Sequence, residues 1–295
     1  MGIVISGLGH SASLAVNIAS VGRWRLLRAE EKQFPDGEEY VRLRGSLRGA
    51  DLYIVNSLYP PNDETLACLI AADAARSLGA RRVTLIAPYL AYMRQDKRFR
   101  AGEAVSSRTV AGLISDRFDR LITIDPHLHR YKSLSEIYSI PTRVLHADKA
   151  IADWIGRKVK LPVLVGPDSE SRQWVSQVAG LCDAPFGVMR KKRFSSTKVK
   201  SSGLDAKLVR GRDVLVLDDI ISSGHTMAGV IEQALKLGAA TAAGVGVHGL
   251  FVPGARKLLK GAGASRVVTC NTVANPTARI DIAPLIARAI GEDSK

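Results

Sequence analysis

Residues 213–226 read Asp-Val-Leu-Val-Leu-Asp-Asp-Ile-Ile-Ser-Ser-Gly-His-Thr. An apolar run ends in two adjacent carboxylates, Asp218 and Asp219. A short loop of Ser222, Ser223, Gly224, His225 and Thr226 then leads into a helical pattern. The run suits a buried parallel strand. A loop that opens a helix offers unbonded N–H groups and hydroxyls to a phosphate at the positive end of the helix dipole. The carboxylates at the strand tip can accept hydrogen bonds from sugar hydroxyls. An aspartate cap beside a plain turn is the alternative. Two ionised aspartates at the end of an apolar strand repel, however, and a ligand, a cation or solvent must offset that cost. The acidic pair and the anion loop together describe a cradle for a phosphorylated sugar.

Five further segments carry groups capable of chemistry. Phe34-Pro35-Asp36-Gly37-Glu38 has the composition of an ordinary reverse turn. It also sets Asp36 and Glu38 beside an aromatic ring on which a purine could stack. Residues 88–100 hold Tyr89, Tyr92, Arg94, Gln95 and further bases between a strand tip and the next helix, where Ser106 and Ser107 are placed to cap. Strand tips of this kind are where α/β sheets bind ligands, so a nucleotide phosphate site is weighed against a solvated loop. Asp125-Pro126-His127-Leu128-His129 closes another apolar strand and could offer imidazole and carboxylate groups to a divalent metal or its water shell. Its spacing is too compact for zinc, and Mg²⁺ fits better. Asp168, in Gly166-Pro167-Asp168-Ser169, is placed either to cap a helix or to face a metal. Arg190-Lys191-Lys192-Arg193 runs into a polar, glycine-ended stretch that reads as a flap able to close over a transferring phosphoryl group.

These groups need a scaffold that brings strand tips to one edge. Strand patterns fall near 3–6, 51–57, 83–88 and 121–125, with helices near 11–20, 64–78 and 106–117. A second series has strands near 162–166, 185–190, 213–218, 242–247 and 266–270, with helices near 147–157, 170–180, 226–237 and 283–290. Such alternation predicts an α/β fold with mainly parallel sheets flanked by helices. The run from Asp51 also parallels the run from Asp213. Each is followed by a polar loop, a threonine (Thr65, Thr226), an alanine-rich helix, a Leu-Gly-Ala turn and another strand. The chain therefore reads as a duplicated domain, divided at 1–145 and 146–295. In the first copy Asn56 and Ser57 replace the acidic pair, and Pro60-Pro61 occupies the loop. The sugar phosphate is expected in the second copy alone.

A length of 295 residues suits two α/β cores. No apolar run spans a membrane and the start lacks a signal peptide, so no membrane partner is expected. Cys68, Cys182 and Cys270 are odd in number, lack metal-ligand spacing and sit in apolar settings. Reduced core cysteines in a cytoplasmic protein are expected. The net charge of +14 favours anionic partners. Aromatic residues make up 5% and none interleave with the dense basic zone 190–212, so small phosphorylated ligands are favoured over nucleic acid.

Taken in order, Phe-Pro-Asp-Gly-Glu, Tyr-Met-Arg-Gln-Asp-Lys, Asp-Pro-His, Gly-Pro-Asp, the Lys-Lys-Arg flap and Asp-Asp-Ile-Ile-Ser-Ser-Gly-His-Thr resemble the motifs of the ribose-phosphate pyrophosphokinase family, in its compact archaeal-like type. The resemblance covers nearly the whole chain. It implies two tandem type I phosphoribosyltransferase-like domains, the first on the ATP side and the second on the ribose 5-phosphate side. It implies transfer of pyrophosphate from Mg–ATP to the 1-hydroxyl of ribose 5-phosphate, giving phosphoribosyl pyrophosphate and AMP. Phe34, Asp36, Glu38, Arg94 and Gln95 would bind ATP, the first three across a subunit boundary in a homo-oligomer, a dimer or a multiple of dimers. His127 and Asp168 would contact Mg²⁺ or its waters, and Lys191 and Arg193 would stabilise the transition state. Asp218, Asp219, Ser222, Ser223, Gly224, His225 and Thr226 would bind ribose 5-phosphate. His225, Pro126 and Ser169-Glu170-Ser171 depart from the family pattern. A non-catalytic relative that binds phosphoribosyl ligands and regulates a partner is the alternative; it would have shed the flap bases or the Arg-Gln pair, and both are present.

Overall fold

The computed structural model describes residues 2–193 and 199–293. Two compact units divide the chain: Met1–His146 with Thr272–Ala274 and Ile282–Lys295, and Ala147–Asn271 with Asn275–Asp281.

The first unit runs β1 (Ile3–Gly7), α1 (Ala12–Gly22), β2 (Arg25–Leu26), β3 (Arg28–Gln33), β4 (Glu39–Arg44), β5 (Asp51–Val55), α2 (Pro61–Ser77), β6 (Arg82–Ala87), α3 (Ser106–Arg117), β7 (Arg120–Ile124) and β8 (Thr142–Leu145). Its sheet has the order β2-β1-β5-β6-β7-β8, and every pairing in it is parallel. Strands covered on both faces must be apolar throughout, and Leu52, Ile54, Val55, Val83, Leu85, Ile86, Leu121 and Ile122 are fully buried. β3 and β4 form a separate antiparallel hairpin.

The second unit runs α4 (Asp148–Lys158), β9 (Pro162–Gly166), α5 (Arg172–Leu181), β10 (Phe186–Val188), β11 (Arg190–Arg193), β12 (Val199–Ser202), α6 (Ala206–Val209), β13 (Asp213–Ile221), α7 (His225–Lys236), β14 (Thr241–Gly249), α8 (Ala255–Gly261), β15 (Val267–Cys270) and β16 (Ala278–Ile280). Its sheet order is β10-β9-β13-β14-β15-β16, again all parallel, with β11 and β12 as an antiparallel hairpin. Strand for strand this repeats the first unit, so the expected two-domain α/β fold of tandem parallel sheets is what the chain adopts. The glycines of the two Leu-Gly-Ala turns, Gly79 and Gly238, both take left-handed backbone, with φ of 85° and 89°.

The last helix, α9 (Ala283–Asp293), follows β16 in sequence but packs on α1 in the first unit. Ile286, Ala287 and Ile290 form its buried face. Arg143 Nη1 donates to Asp293 Oδ1 at 2.8 Å and to the Ala289 carbonyl at 3.0 Å, while Arg120 Nη1 lies 2.6 Å from Asp293 Oδ2. α4 stands in the matching relation to α5 in the second unit.

Two local expectations are corrected. Cys68 and Cys270 are core residues, but Cys182 is only half-buried past the end of α5, where its Sγ donates to the Val178 carbonyl. Ser106 and Ser107 do not cap α3. Its N-cap is Val105, and the hydroxyls turn instead to Gln95 Oε1 at 3.1 Å and the Tyr131 hydroxyl at 2.9 Å. Among the described residues, no helix is long and apolar enough to cross a membrane.

Candidate functional site

In the second unit β13 ends on the predicted cradle. Asp218 and Asp219 are half-buried in the last turn of that strand, and Ile220 N donates to Asp219 Oδ1 at 2.8 Å. Ile221 then plugs the loop into the core. Ser222 holds the neighbouring loop by accepting from Val252 N at 3.2 Å. Gly224 is the N-cap of α7 with φ of 77°, and no side chain caps the helix there. The first-turn N–H groups of a helix have no intrahelical acceptor, so this end presents donors and positive dipole with nothing of its own to receive them. Ser223, His225 and Thr226 are exposed beside it, while Met227 anchors the turn in the core.

β9 pairs with β13, which brings Gly166-Pro167-Asp168 to the same sheet edge. Asp168 Oδ1 accepts from the N–H groups of Glu170 (3.1 Å) and Ser171 (3.2 Å), so the residue does serve the turn before α5. It also lies close enough to be felt electrostatically at Asp218. Burial raises the Asp218 carboxyl above its ordinary value, and the charges of Asp219 and then Asp168 push it the same way. Three aspartates around one strand tip form an oxygen-rich donor set suited to a hard cation. Among the described residues no cluster of three His, Cys, Asp or Glu side chains is arranged to hold a metal outright.

The basic hairpin β11–β12 rises next to this edge, since Met189 N donates to the Gly166 carbonyl at 3.0 Å. Lys191 pairs in register with Ser201 and Arg193 with Val199. The rest of the expected flap, residues 194–198, lies outside the described residues.

The first unit carries the other predicted groups at three places. The turn 34–38 is the tip of the β3–β4 hairpin. Phe34 N donates to the Glu38 carbonyl at 2.8 Å, Glu38 N donates to Asp36 Oδ1 at 3.2 Å, and the Phe34 ring is 50% exposed, edge-on to Tyr40. Arg94 and Gln95 lie past the tip of β6. Arg94 is exposed, whereas Gln95 is fixed by Ser106 Oγ and by Ser107 N, which donates to its carbonyl at 3.3 Å. His127 follows the tip of β7, half-buried and edge-on to His129 at 5.7 Å. The preceding Asp125 is left-handed, with φ of 37°, and holds His146 Nδ1 at 2.7 Å.

Sequence reading missed four polar pairs in this unit. Asp96 is buried and binds Arg130 Nη1 through both oxygens, at 2.7 and 3.0 Å, while the Arg130 guanidinium lies 5.6 Å from the Phe99 ring centre. Asp125 pairs with His146. Glu31 and Glu64 approach Gly9 and Asn56. Asp96 and Asp125 stood inside segments already singled out, and an unpaired carboxylate next to an apolar strand was the available signal. For Glu31 and Glu64 the sequence offered none.

Residues 3–117 match the family model described as the N-terminal domain of ribose phosphate pyrophosphokinase, and residues 133–283 match the phosphoribosyl transferase domain. Among curated relatives, a ribose-phosphate pyrophosphokinase of Methanopyrus kandleri is 35% identical over 98% of both chains. One of Sulfurisphaera tokodaii is 32% identical over 98% of this chain and 100% of the relative. The crystal structure of phosphoribosylpyrophosphate synthetase from Mycobacterium smegmatis superposes with a TM-score of 0.84 at 28% identity, covering 99% of this chain and 100% of that one. With the duplicated parallel sheets and the motif order, these matches establish that the chain belongs to the ribose-phosphate pyrophosphokinase family.

Proposed function

We propose that this chain transfers the diphosphoryl group of Mg–ATP to the 1-hydroxyl of ribose 5-phosphate, giving phosphoribosyl pyrophosphate and AMP. The observation that carries the reading is the uncapped start of α7 behind left-handed Gly224, with Asp218 and Asp219 beside it, in a chain of this family. The 5-phosphate receives hydrogen bonds from the N–H groups and hydroxyls of Ser222, Ser223, Gly224, His225 and Thr226. Asp218 and Asp219 accept from the ribose hydroxyls, which fixes the ring and aims its O1. A new bond joins O1 to the β-phosphorus as the bond from that phosphorus to the AMP oxygen breaks.

Phe34 supplies a stacking face for the adenine, and Asp36 and Glu38 accept from its amine. Arg94 neutralises ATP phosphate charge and Gln95 orients the nucleotide. In keeping with the family resemblance and the half-exposed Phe34 ring, the reading includes a homo-oligomer in which the hairpin tip serves a neighbouring subunit. Lys191 and Arg193 meet the charge that builds on the transferring group.

The acidic surroundings that raise Asp218 fit a divalent cation, which would draw its protons away, and the oxygen donors suit Mg²⁺. In the second unit Asp168, and in the first unit His127, would contact Mg²⁺ or its water shell. When bound, the metal would neutralise charge on the ATP phosphates. The three free cysteines support a reducing, cytoplasmic setting.

The test is a coupled assay of AMP formation from Mg–ATP and ribose 5-phosphate, run beside Lys191→Ala. Turnover in the parent and a loss of about a thousandfold in the variant support the reading. Absence of turnover across metal and phosphate conditions would sink it.

A further inference from the structure

Gly9 lies two residues past β1 and Asp168 two residues past β9, strands of equal length in the same place of two sheets of the same order. By the same count Asn56 is the counterpart of Asp218, because Asp51 pairs with the first residue of β1 and Asp213 with the first of β9. The first sheet has therefore lost both carboxylates at its tips. Two others have come in from outside the sheet. Gly9 N donates to Glu31 Oε1 at 2.8 Å and Oε2 at 3.0 Å. The Glu64 carboxylate accepts from Asn56 Nδ2 at 2.7 Å, and its oxygens lie 2.6 and 2.7 Å from where a Cβ on Gly9 would stand. Burial raises both carboxyls, and Glu64's charge adds to the effect at Glu31.

Glu31 belongs to β3, the strand that leads to Phe34. The return strand β4 is held by burial of Val41 and Leu43 against the core that includes α2. β3 buries none of its side chains fully. Its ion pairs through Glu30, to Lys32 and Arg44, stay within the hairpin and tie it to nothing else. Ala29 packs part-buried against the core and Leu27 N, just before β3, donates to the Ile5 carbonyl at 2.7 Å, while the Gly9 amide held by both Glu31 oxygens is the side-chain tie of β3 to the strand tip.

We propose that Glu31 is a positioning residue: the disused ligand-binding tip of the first sheet has become the anchor of the hairpin that carries Phe34, Asp36 and Glu38. Glu31 takes at Gly9 the place a bound anion would take, and so sets where the adenine-binding turn stands. This rests on the reading that the turn binds adenine.

The experiment uses the full chain with Glu31→Ala and Glu31→Gln. Amide exchange read by mass spectrometry should speed up across residues 28–44 in Glu31→Ala and stay near the parent in Glu31→Gln, whose amide oxygen still accepts from Gly9. In the same preparations KM for ATP should rise about tenfold in Glu31→Ala, with kcat and KM for ribose 5-phosphate within about twofold. Added formate should lower the raised KM and slow the exchange in Glu31→Ala while leaving the parent unchanged, a rescue that general loss of stability does not give. Unchanged exchange in Glu31→Ala, or an equal rise of both KM values, overturns the proposal. Phe34→Ala keeps the two ideas apart. If it leaves KM for ATP unchanged while Glu31→Ala still loosens the hairpin, the adenine assignment fails and the anchor stands.

Discussion

Asn56 and Asp218 are one position of a duplicated sheet in two chemical states. Each follows the apolar run of the strand that pairs with the first sheet strand, in chain order, of its unit. Asp218 keeps a carboxylate whose burial raises its proton affinity and invites a ligand. Asn56, buried to 1% exposure, donates instead to a carboxylate supplied by Glu64. The helix starts differ in the same sense. α2 begins at Pro61 behind Pro60, so two of the N–H donors that α7 has at its start are missing there. Duplication left one anion cradle open and closed the other with the chain's own side chains.

Restoring the acid at position 56 should be costly. Asn56→Asp places a carboxylate against Glu64 with its donor removed, a loss of about 2 kcal/mol at neutral pH. Glu64 already has a raised folded pKa, and the introduced group shares its burial. Carboxyls raised on folding bind more protons in the folded state, so the cost is fully present above their folded pKa and recedes as pH falls towards the unfolded value. Urea unfolding at about pH 8 and about pH 5.5 should show a smaller penalty at the lower pH. An equal penalty at both would mean that charge repulsion is not the cause.

Asp218→Asn should separate stability from activity. An amide at position 218 escapes the burial and the Asp219 charge that disfavour the ionised carboxylate, and the metal-free protein should gain about 1 kcal/mol in thermal unfolding. AMP formation should fall about a hundredfold, because a neutral amide neither attracts the cation nor accepts equally from the ribose hydroxyls. A variant both less stable and inactive would assign Asp218 a structural role instead.

Gly224→Ala tests the cradle through its backbone. With φ of 77°, an alanine pays the left-handed strain, and its Cβ would stand 3.2 Å from Leu259 Cγ. A loss of about 1 kcal/mol is expected. Kinetically, KM for ribose 5-phosphate should rise while KM for ATP holds. Isothermal titration with ribose 5-phosphate alone gives the same answer without turnover.

The sheets were legible because parallel strands covered on both faces must be apolar end to end, and the runs at 51–55, 82–87, 120–124 and 213–217 leave no other reading. The cradle was legible because phosphate binding uses local backbone, so its parts are adjacent in sequence. β3 was not, since Arg-Ala-Glu-Glu-Lys-Gln shows no alternation and buries none of its side chains fully. Nor could sequence order show that α9 crosses to α1. That choice depends on Arg143 and Arg120 meeting Asp293 across 150 and 173 positions, a match no local pattern records.

Arg130 and Asp96 provide the sharpest test of how the nucleotide loop is held. The Asp96 side chain is 1% exposed and Arg130 is 40% exposed, so the arginine carries its charge partly in water while the aspartate does not. Arg130→Ala leaves a buried carboxylate with its main counter-charge gone, and the loss should be about 2–3 kcal/mol, below the value for a fully buried pair. Asp96→Asn keeps an acceptor for Arg130 and should cost about 1 kcal/mol. The double variant should be no worse than Arg130→Ala alone, because the stranded charge is gone; a double-mutant cycle reads this coupling directly. Asp96 adjoins Gln95, and its carbonyl receives the Tyr131 hydroxyl at 3.1 Å, so the same variants bear on function. KM for ATP should rise in Arg130→Ala and recover in part in the double variant. Additive costs, or a KM that follows neither change, would show that this pair does not support the loop carrying Arg94 and Gln95.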